Sequence, residues 1–200
     1  LGGVPDMFIT KPTSHSGRWY VWHTGMSGAS YMLELNSSNA EVDKSANGSM
    51  SLPTSTVFDI TYTEGLGENG ETHIGYFFRS IEGYSKFGSY EGSGSSDDAG
   101  TFVFTGFRPR MVFVKQIDGA AEWAVYDTAR DTVNEMGNCL EWDLNATEKT
   151  HASNLTTDAM MVFSNGFKLT GGGGGRTNQT SRSYVFGAWG DVPLKYSNTM

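Results

Sequence analysis

The chain has 200 residues, a net charge of −8 at pH 7 and a single cysteine, Cys139. The acidic composition argues against a nucleic-acid or anionic-membrane partner, because the sequence has no cluster of Lys and Arg to displace counterions from phosphates. One cysteine excludes an intrachain disulfide framework and a cysteine-based zinc site, and no apolar run approaches the 18 residues that suggest a membrane span.

Short strands joined by turns are the predicted building elements of this chain. Glycine (26 residues) and aromatic residues (13%) are abundant, whereas charged residues make up only 18%. This composition suits strands and glycine-rich turns better than surface helices. Apolar and β-branched runs between turn-forming residues predict strands at 7–11, 18–24, 31–35, 56–63, 73–81, 101–107, 111–115, 122–128, 138–142, 160–169 and 183–190. The predicted fold class is therefore all-β, with sandwich-like or jelly-roll-like packing.

One segment of the sequence occurs twice. Residues 5–24 align without a gap with residues 109–128, each residue matching the one 104 positions later, and 6 of the 20 positions are identical. Further along the chain, two more pairs of segments correspond: 33–35 with 140–142, and 73–78 with 184–189. A repeat of this length determines the architecture of the chain.

The repeat predicts two tandem β-sandwich-like units related by internal duplication, with the first unit at residues 1–88 and the second at 89–200. The first unit has no counterpart of the segment TFVF at 101–104, which precedes the repeated segment in the second. We therefore expect the first unit to be incomplete at its N-terminus and the chain to be the C-terminal piece of a longer polypeptide.

The recurring apolar residues are predicted to form the core of each unit, since two copies of one fold bury the same positions. These core residues are Met7, Met111, Trp19, Trp123, Val21 and Val125. Aromatic and polar residues without that constraint are candidates for binding, because rings supply contact area at low entropic cost. The binding candidates are Trp22, His15, Tyr31, Tyr84, Tyr90, Trp142, Arg176 and Asn178. For each aromatic residue the alternative is packing within the core or between subunits.

Carboxylates are the main candidates for catalysis. Glu34 and Glu141 recur at matching positions, and Glu122 and Asp127 lie near a tryptophan in the sequence. Pairs of carboxylates can hydrolyse glycans. A solvated strand face explains the two glutamates more simply, and a catalytic pair would not be expected in both copies. No catalytic residue is therefore predicted, and Arg130 is the expected partner of Asp127.

The glycine-rich run TGGGGGRTNQT at 170–180 is interpreted as a hairpin loop. A phosphate-binding loop would have lysine where Arg176 stands and would lead into a helix, whereas a strand is predicted here. The four histidines lack metal-ligand spacing, and the pair Asp97 and Asp98 reads as a polar turn rather than a calcium site. No metal and no cofactor are predicted.

Several motifs in order resemble a repeat module found towards the C-termini of tail-fibre and related structural proteins of tailed bacteriophages. The matching stretches are Gly83–Tyr90, Phe102–Lys115, Trp123–Arg130, Ser164–Leu169, Tyr184–Trp189 and Lys195–Asn198. Each motif is short, but their shared order covers both units and nearly the whole chain.

The resemblance implies a non-enzymatic structural protein of a phage virion, in a tail fibre or tail tip, that contacts a sugar or protein of the host surface. It implies other virion proteins and further copies of this chain, in a homotrimer, as partners. It also implies a location on the phage tail or exterior after synthesis in the host cytoplasm. Two alternatives remain open: a capsid-decoration, head-fibre or tail-assembly protein that binds no receptor, and a glycan depolymerase.

Overall fold

The computed structural model of the chain describes residues 2–62, 67, 70–95, 99–149, 158–171 and 176–190. Within these ranges the chain forms strands and one short 3-10 helix, Ser45–Asn47. The strands are β1 (Met7–Pro12), β2 (Tyr20–His23), β3 (Tyr31–Glu34), β4 (Val42–Asp43), β5 (Gly48–Met50), β6 (Ile60–Tyr62), β7 (His73–Phe78), β8 (Ser85–Glu91), β9 (Phe102–Phe104), β10 (Pro109–Gln116), β11 (Ala124–Asp127), β12 (Leu140–Glu141), β13 (Met160–Phe163), β14 (Gly166–Leu169) and β15 (Ser183–Gly190). In the described ranges no helix is long and apolar enough to cross a membrane.

The all-β prediction is confirmed, and a strand forms within every range predicted for one. The range 56–63 is strand only at β6, and 160–169 divides into β13 and β14, which pair as a hairpin. Strand β8 was not among the predicted strands. It covers much of the motif Gly83–Tyr90 and pairs along its full length with β15.

The strands form two five-stranded antiparallel sheets and two smaller ones. Sheet 1 has the order β4-β3-β2-β1-β7, and sheet 2 has the order β12-β11-β10-β15-β8. Sheet 3 consists of β13-β14-β9, and β5 pairs with β6 in a hairpin. The boundary predicted between residues 88 and 89 lies inside β8, so a strand that starts in the first predicted unit belongs to the second sheet.

Four strands of sheet 1, β3-β2-β1-β7, have the same order and register as four strands of sheet 2, β12-β11-β10-β15. Met7 pairs with His23 in sheet 1, and Met111 pairs with Asp127 in sheet 2, 104 positions later at both partners. On the other side of the same strands, Met7 pairs with Phe78 and Met111 with Trp189. An internal duplication would produce this correspondence.

Sheet 2 is the central layer of the molecule, because alternate residues of its strands enter two different hydrophobic clusters. Phe113, Val125 and Val185 pack with residues of sheet 1, whereas Val112, Tyr126 and Phe186 pack with residues of sheet 3. Strands buried on both faces are apolar almost continuously, which is why β10 and β15 do not alternate with polar residues.

Two buried polar side chains connect sheet 2 to sheet 1. The His23 Nε2 lies 3.0 Å from the Phe186 carbonyl oxygen, and the Gly25 N–H donates to Nδ1, so Nε2 carries the proton. Burial lowers the pKa of His23 to about 4. The Lys115 ammonium donates to the carbonyls of Ser38, Asn39 and Gln116, and burial lowers its pKa to about 8.

The predicted core residues are not equally buried. Met7, Val21, Trp123 and Val125 are buried, and Met111 is partly buried against the same cluster. The prediction of Trp19 as a core residue is wrong, because Trp19 is only half-buried. It precedes β2 at the end of sheet 1, and there Lys11 rather than sheet 2 lies over its ring. Trp123 instead lies between the sheets, and its Nε1 donates to the Glu34 carbonyl at 3.1 Å.

Candidate binding clefts

Two of the predicted binding residues, Tyr90 and Asn178, bond within the chain rather than at a surface site. Asn178 is fully buried; its amide donates to the carbonyls of Ser95 and Gly171, and its Oδ1 accepts from the Ser93 N–H. The Tyr90 hydroxyl donates to the Thr177 carbonyl at 2.6 Å, and its ring stacks on Tyr184. The prediction of Tyr90 and Asn178 as surface binding residues is therefore wrong, because their polar groups already bond within the chain.

Arg176 is likewise committed to internal contacts. Its Nη2 lies 2.8 Å from an Asp158 oxygen, its Nη1 bonds Glu141, and both carboxylate side chains are almost wholly buried. Burial opposes the charge on Arg176, but the Asp158 carboxylate outweighs it and raises the arginine's pKa. Arg176 thus anchors the chain after the glycine run, of which residues 172–175 lie outside the described part of the chain.

The carboxylate of Glu141 is also held by Lys149, whose Nζ lies 3.8 Å away. Glu34, at the matching position in sheet 1, bonds Arg18. A general acid must lie within hydrogen-bond reach of a bound ligand, whereas the Glu141 side chain is only 4% exposed and is paired with two cations of this chain. The arrangement around Glu141 therefore suits an ion pair better than an acid–base role. Asp127 has the predicted partner, Arg130, at 3.8 Å.

The other aromatic candidates lie in separate places. Trp22 is buried, with its ring stacked on Phe8 at 5.8 Å, so it packs in the core, which was the alternative for each aromatic candidate. Tyr31 is half-buried against the core, and Trp142 is partly exposed but stacks on Trp123. His15 is exposed, with its Nδ1 2.9 Å from a Glu71 oxygen.

Tyr84 is the predicted binding residue that lines an open aromatic cleft. This aromatic cleft lies where sheets 1 and 2 meet, and it has a volume of about 340 Å³. Its lining includes Phe77, Phe78, Arg79, Ile81, Tyr84, Phe87 and Trp189. The rings of Phe78, Phe87 and Trp189 lie within 5.3–6.1 Å of one another, whereas Tyr84 (37% exposed) and Ile81 (42%) face solvent.

A tight turn holds Tyr84 in place. The N–H groups of Tyr84 and Ser85 donate to the Ile81 carbonyl, and the Tyr84 carbonyl accepts from the Gly190 N–H at 2.7 Å. Gly83 has a φ of +73°, which favours glycine over residues with a Cβ. The Ser85 hydroxyl donates to the Arg79 carbonyl and closes the base of the turn. The rim of the aromatic cleft is therefore a fixed structure.

A second cleft, the arginine cleft, was not predicted. It has a volume of about 480 Å³ and lies at the N-terminal end of β10. It is lined by Arg108, Pro109, Arg110, Thr128, Asp131, Thr132, Val133, Asn134, Met136 and Val162. The signal in the sequence was the repeat itself, because Arg108 and Arg110 align with Val4 and Asp6, two changes of charge beside an invariant proline.

A third cleft, the Val4 cleft, lies on sheet 1. Its volume is about 400 Å³, and its lining is Val4, Pro5, Asp6, Trp22, Thr24, Met26, Gly28, Ala29, Leu52 and Pro53. Asp6 is the charged residue of this lining, and its carboxylate accepts from the Ser80 N–H at 2.5 Å.

Metal ligation has no support in the described residues, where no group of three or more His, Cys, Asp and Glu side chains is close enough to hold an ion. Asp97, Asp98 and His151, considered from the sequence, lie outside the described ranges, as does the terminal motif Lys195–Asn198.

Comparison with known proteins gives a family but no activity. No curated protein matches the chain, and no solved structure matches it. One family model, described as a domain of unknown function (DUF7483), matches residues 1–193, and so spans both sheets and all three clefts. The chain therefore belongs to the DUF7483 family.

Proposed function

We propose that this chain is a non-enzymatic structural module of a phage virion, in a tail fibre or tail tip, that binds a sugar or protein of the host surface through the aromatic cleft. The motifs shared with tail-fibre modules support the virion part of the proposal. The observation that carries the binding part is the set of rings in the aromatic cleft, with Tyr84 partly exposed at its rim.

Aromatic clefts of this kind suit sugar and protein recognition. A flat ring presents a large apolar face, and it loses little conformational entropy because it rotates about only two side-chain bonds. Here the cluster of Phe78, Phe87 and Trp189 forms the apolar floor, and Arg79 adds hydrogen-bond donors beside it. A cleft of about 340 Å³ lies at the lower end of the range of small-ligand sites, so firm attachment to a cell surface would require several copies.

The cleft is tested by binding of fluorescently labelled chain to a panel of bacterial strains and to an array of bacterial surface glycans. Tyr84→Ala is compared with Tyr76→Ala, which removes another partly exposed tyrosine, on β7 and outside the cleft lining. We expect Tyr84→Ala to weaken binding by about tenfold, the loss of one stacked ring, and Tyr76→Ala to leave it unchanged.

The binding proposal fails if wild-type chain binds none of the strains or glycans, or if the two tyrosine variants bind equally.

The proposal also includes a homotrimer. Sedimentation of the purified chain over a range of concentrations measures that state, and a monomer at all concentrations would contradict it.

A second candidate function, particle assembly without receptor binding, is favoured by the outer face of sheet 3. Phe102, Phe104 and Phe163 are 47%, 64% and 38% exposed there, although aromatic residues are ordinarily buried. Another virion protein is the occupant that this function requires. If Phe104→Ser abolishes incorporation into particles while Tyr84→Ala leaves infection unchanged, assembly rather than attachment is the function.

A further inference from the structure

Two of the three clefts occupy equivalent positions in the two large sheets. Four residues of the arginine cleft (Arg108, Pro109, Arg110 and Thr128) lie 104 positions after four residues of the Val4 cleft (Val4, Pro5, Asp6 and Thr24). The proline and the threonine are the same in both clefts, whereas the two remaining positions differ in charge.

The same backbone contact frames both clefts. The Thr24 N–H donates to the Asp6 carbonyl at 2.7 Å, and the Thr128 N–H donates to the Arg110 carbonyl at 2.9 Å. Each contact closes the end of a β1–β2 or β10–β11 pair, just beyond the residue pairs Met7–His23 and Met111–Asp127. The scaffold of the two clefts is thus equivalent, and the side chains that line it decide what each can bind.

The charges that face solvent in the arginine cleft are positive. Arg108 and Arg110 are both exposed. Asp131 is the acidic residue of the lining, but it is buried and accepts from the backbone N–H groups of Val133, Gly137 and Asn138. The carboxylate is therefore directed at the backbone rather than at a ligand. In a chain with a net charge of −8, two arginines beside one cleft form a local exception.

We propose that the arginine cleft binds an anionic saccharide, a sugar residue that bears a carboxylate or a phosphate. Guanidinium groups bond such oxyanions with two parallel N–H donors, which gives both strength and orientation. Thr128 and Thr132 supply hydroxyl groups of the kind that bond sugar hydroxyls, and Pro109, Met136 and Val162 supply apolar surface. The volume, about 480 Å³, lies within the range of small-ligand sites. That the ligand is a sugar rests on the proposed function, whereas its negative charge is inferred from the arginines that line the cleft.

The repeat supplies the test variant. Arg108→Val together with Arg110→Asp gives the second cleft the residues that the first cleft already has, on an equivalent scaffold. The matched control is Arg182→Ala, which removes an exposed arginine outside the cleft lining. Unfolding in urea verifies that both proteins fold with the wild-type midpoint. Val4 and Asp6 are left unchanged, since Asp6 bonds the Ser80 N–H.

Isothermal titration measures binding of four probes: trigalacturonate, glucose 6-phosphate, neutral cellotriose and inorganic phosphate. We expect one of the two charged sugars to bind more tightly than cellotriose and than inorganic phosphate, and to lose affinity as salt is raised. The double variant should weaken that binding by about tenfold or more, whereas Arg182→Ala should leave it unchanged. Which charged sugar binds distinguishes a carboxylate ligand from a phosphate ligand.

Three results would overturn the inference: no charged sugar binds, cellotriose binds equally well, or the double variant binds like the wild type. If inorganic phosphate binds as tightly as the charged sugars, the saccharide part fails. Tyr84→Ala should leave titration with the charged sugars unchanged, because Tyr84 lies in the other cleft. Binding of charged sugars by a chain that attaches to no strain would therefore overturn the proposed attachment and leave the anion site standing.

Discussion

Four strands of sheet 1 (β3-β2-β1-β7) and four of sheet 2 (β12-β11-β10-β15) have the same order and the same register, yet their equivalent residues have different surroundings. Trp123 is buried between the sheets, whereas Trp19 is half-buried at the end of sheet 1. Lys115 is buried and donates to three backbone carbonyls, whereas the Lys11 ammonium lies over the ring of the half-buried Trp19. The difference arises because sheet 2 is covered on both faces as the central layer. Identity between the repeats therefore predicts backbone geometry well and burial poorly.

The largest expected difference in stability is between variants of the two equivalent tryptophans, Trp123 and Trp19. Trp123→Ala removes a fully buried ring and its bond to Glu34, and we expect it to lower the free energy of unfolding by about 3–5 kcal/mol. Trp19→Ala should cost much less, about 1 kcal/mol, since its ring is already half in water. Urea unfolding of the two variants measures both values. Equal losses would show that Trp19 is a core residue after all.

The next effect compares the two recurring glutamates. Glu141→Gln takes a carboxylate partner from Arg176, whose side chain is only 14% exposed, and we expect a loss of about 3 kcal/mol, because a largely buried charge loses a partner. Glu34→Gln removes a pair with the exposed Arg18 and should cost about 0–1 kcal/mol. Urea midpoints for both variants check the prediction.

The same variant tests the alternative of a glycan depolymerase. Release of reducing ends from host polysaccharide by wild-type chain, lost in Glu141→Gln, would establish that activity.

The third effect concerns His23. The residue that aligns with His23 in the second copy of the repeat is Asp127, which forms a surface ion pair with Arg130. The pKa of His23 is lowered from 6.5 to about 4, so the unfolded chain binds the proton first as pH falls. The contribution of His23 is fully present above pH 6.5 and is lost as pH falls towards 4, by about 3 kcal/mol.

Unfolding free energies measured from pH 7 to pH 4 test this, with His23→Leu as the comparison. The variant should be less stable at pH 7, since it loses the bond to Phe186, and its stability should depend less steeply on pH. Parallel pH profiles for the two proteins would contradict the assignment of a buried neutral imidazole.

The smallest effect on stability, and the most informative about function, is expected in the clefts. Tyr84→Ala and the exchange of Arg108 and Arg110 alter exposed side chains, so the urea midpoint should move little in either variant. Their effect should appear in binding alone. A large drop in stability would show that these residues hold the scaffold together instead of facing a ligand.

Much of the scaffold was predictable from the sequence, because the repeat aligns segments that the fold pairs in the same register. The segments 33–35 and 140–142 align with each other, and they place Glu34 opposite Tyr20 and Glu141 opposite Ala124. The position of β8 was not predictable in this way, since it has no counterpart in sheet 1. Its pairing with β15 depends on a contact between strands nearly 100 residues apart, which local pattern does not encode.

The site was predictable only in part. Tyr84 was a predicted binding residue, and it lines a cleft. Tyr90, Arg176 and Asn178 were predicted on the same grounds, but their polar groups bond within the chain. A polar residue in a loop reads as exposed until the backbone carbonyls that it bonds are known. Arg108 and Arg110 were not among the predicted binding residues, although they differ in charge from Val4 and Asp6 at the aligned positions. The informative positions were those where the charge differs on a shared frame.

The central claim is that the alike parts of the two sheets form a scaffold and that the open clefts carry recognition. Retention of labelled chain on a panel of bacterial strains tests it most directly, with wild type, Tyr84→Ala and Tyr76→Ala measured side by side. The account predicts that wild type and Tyr76→Ala are retained equally by at least one strain and that Tyr84→Ala is retained about tenfold less. Equal retention of all three proteins, or retention of none, would contradict it.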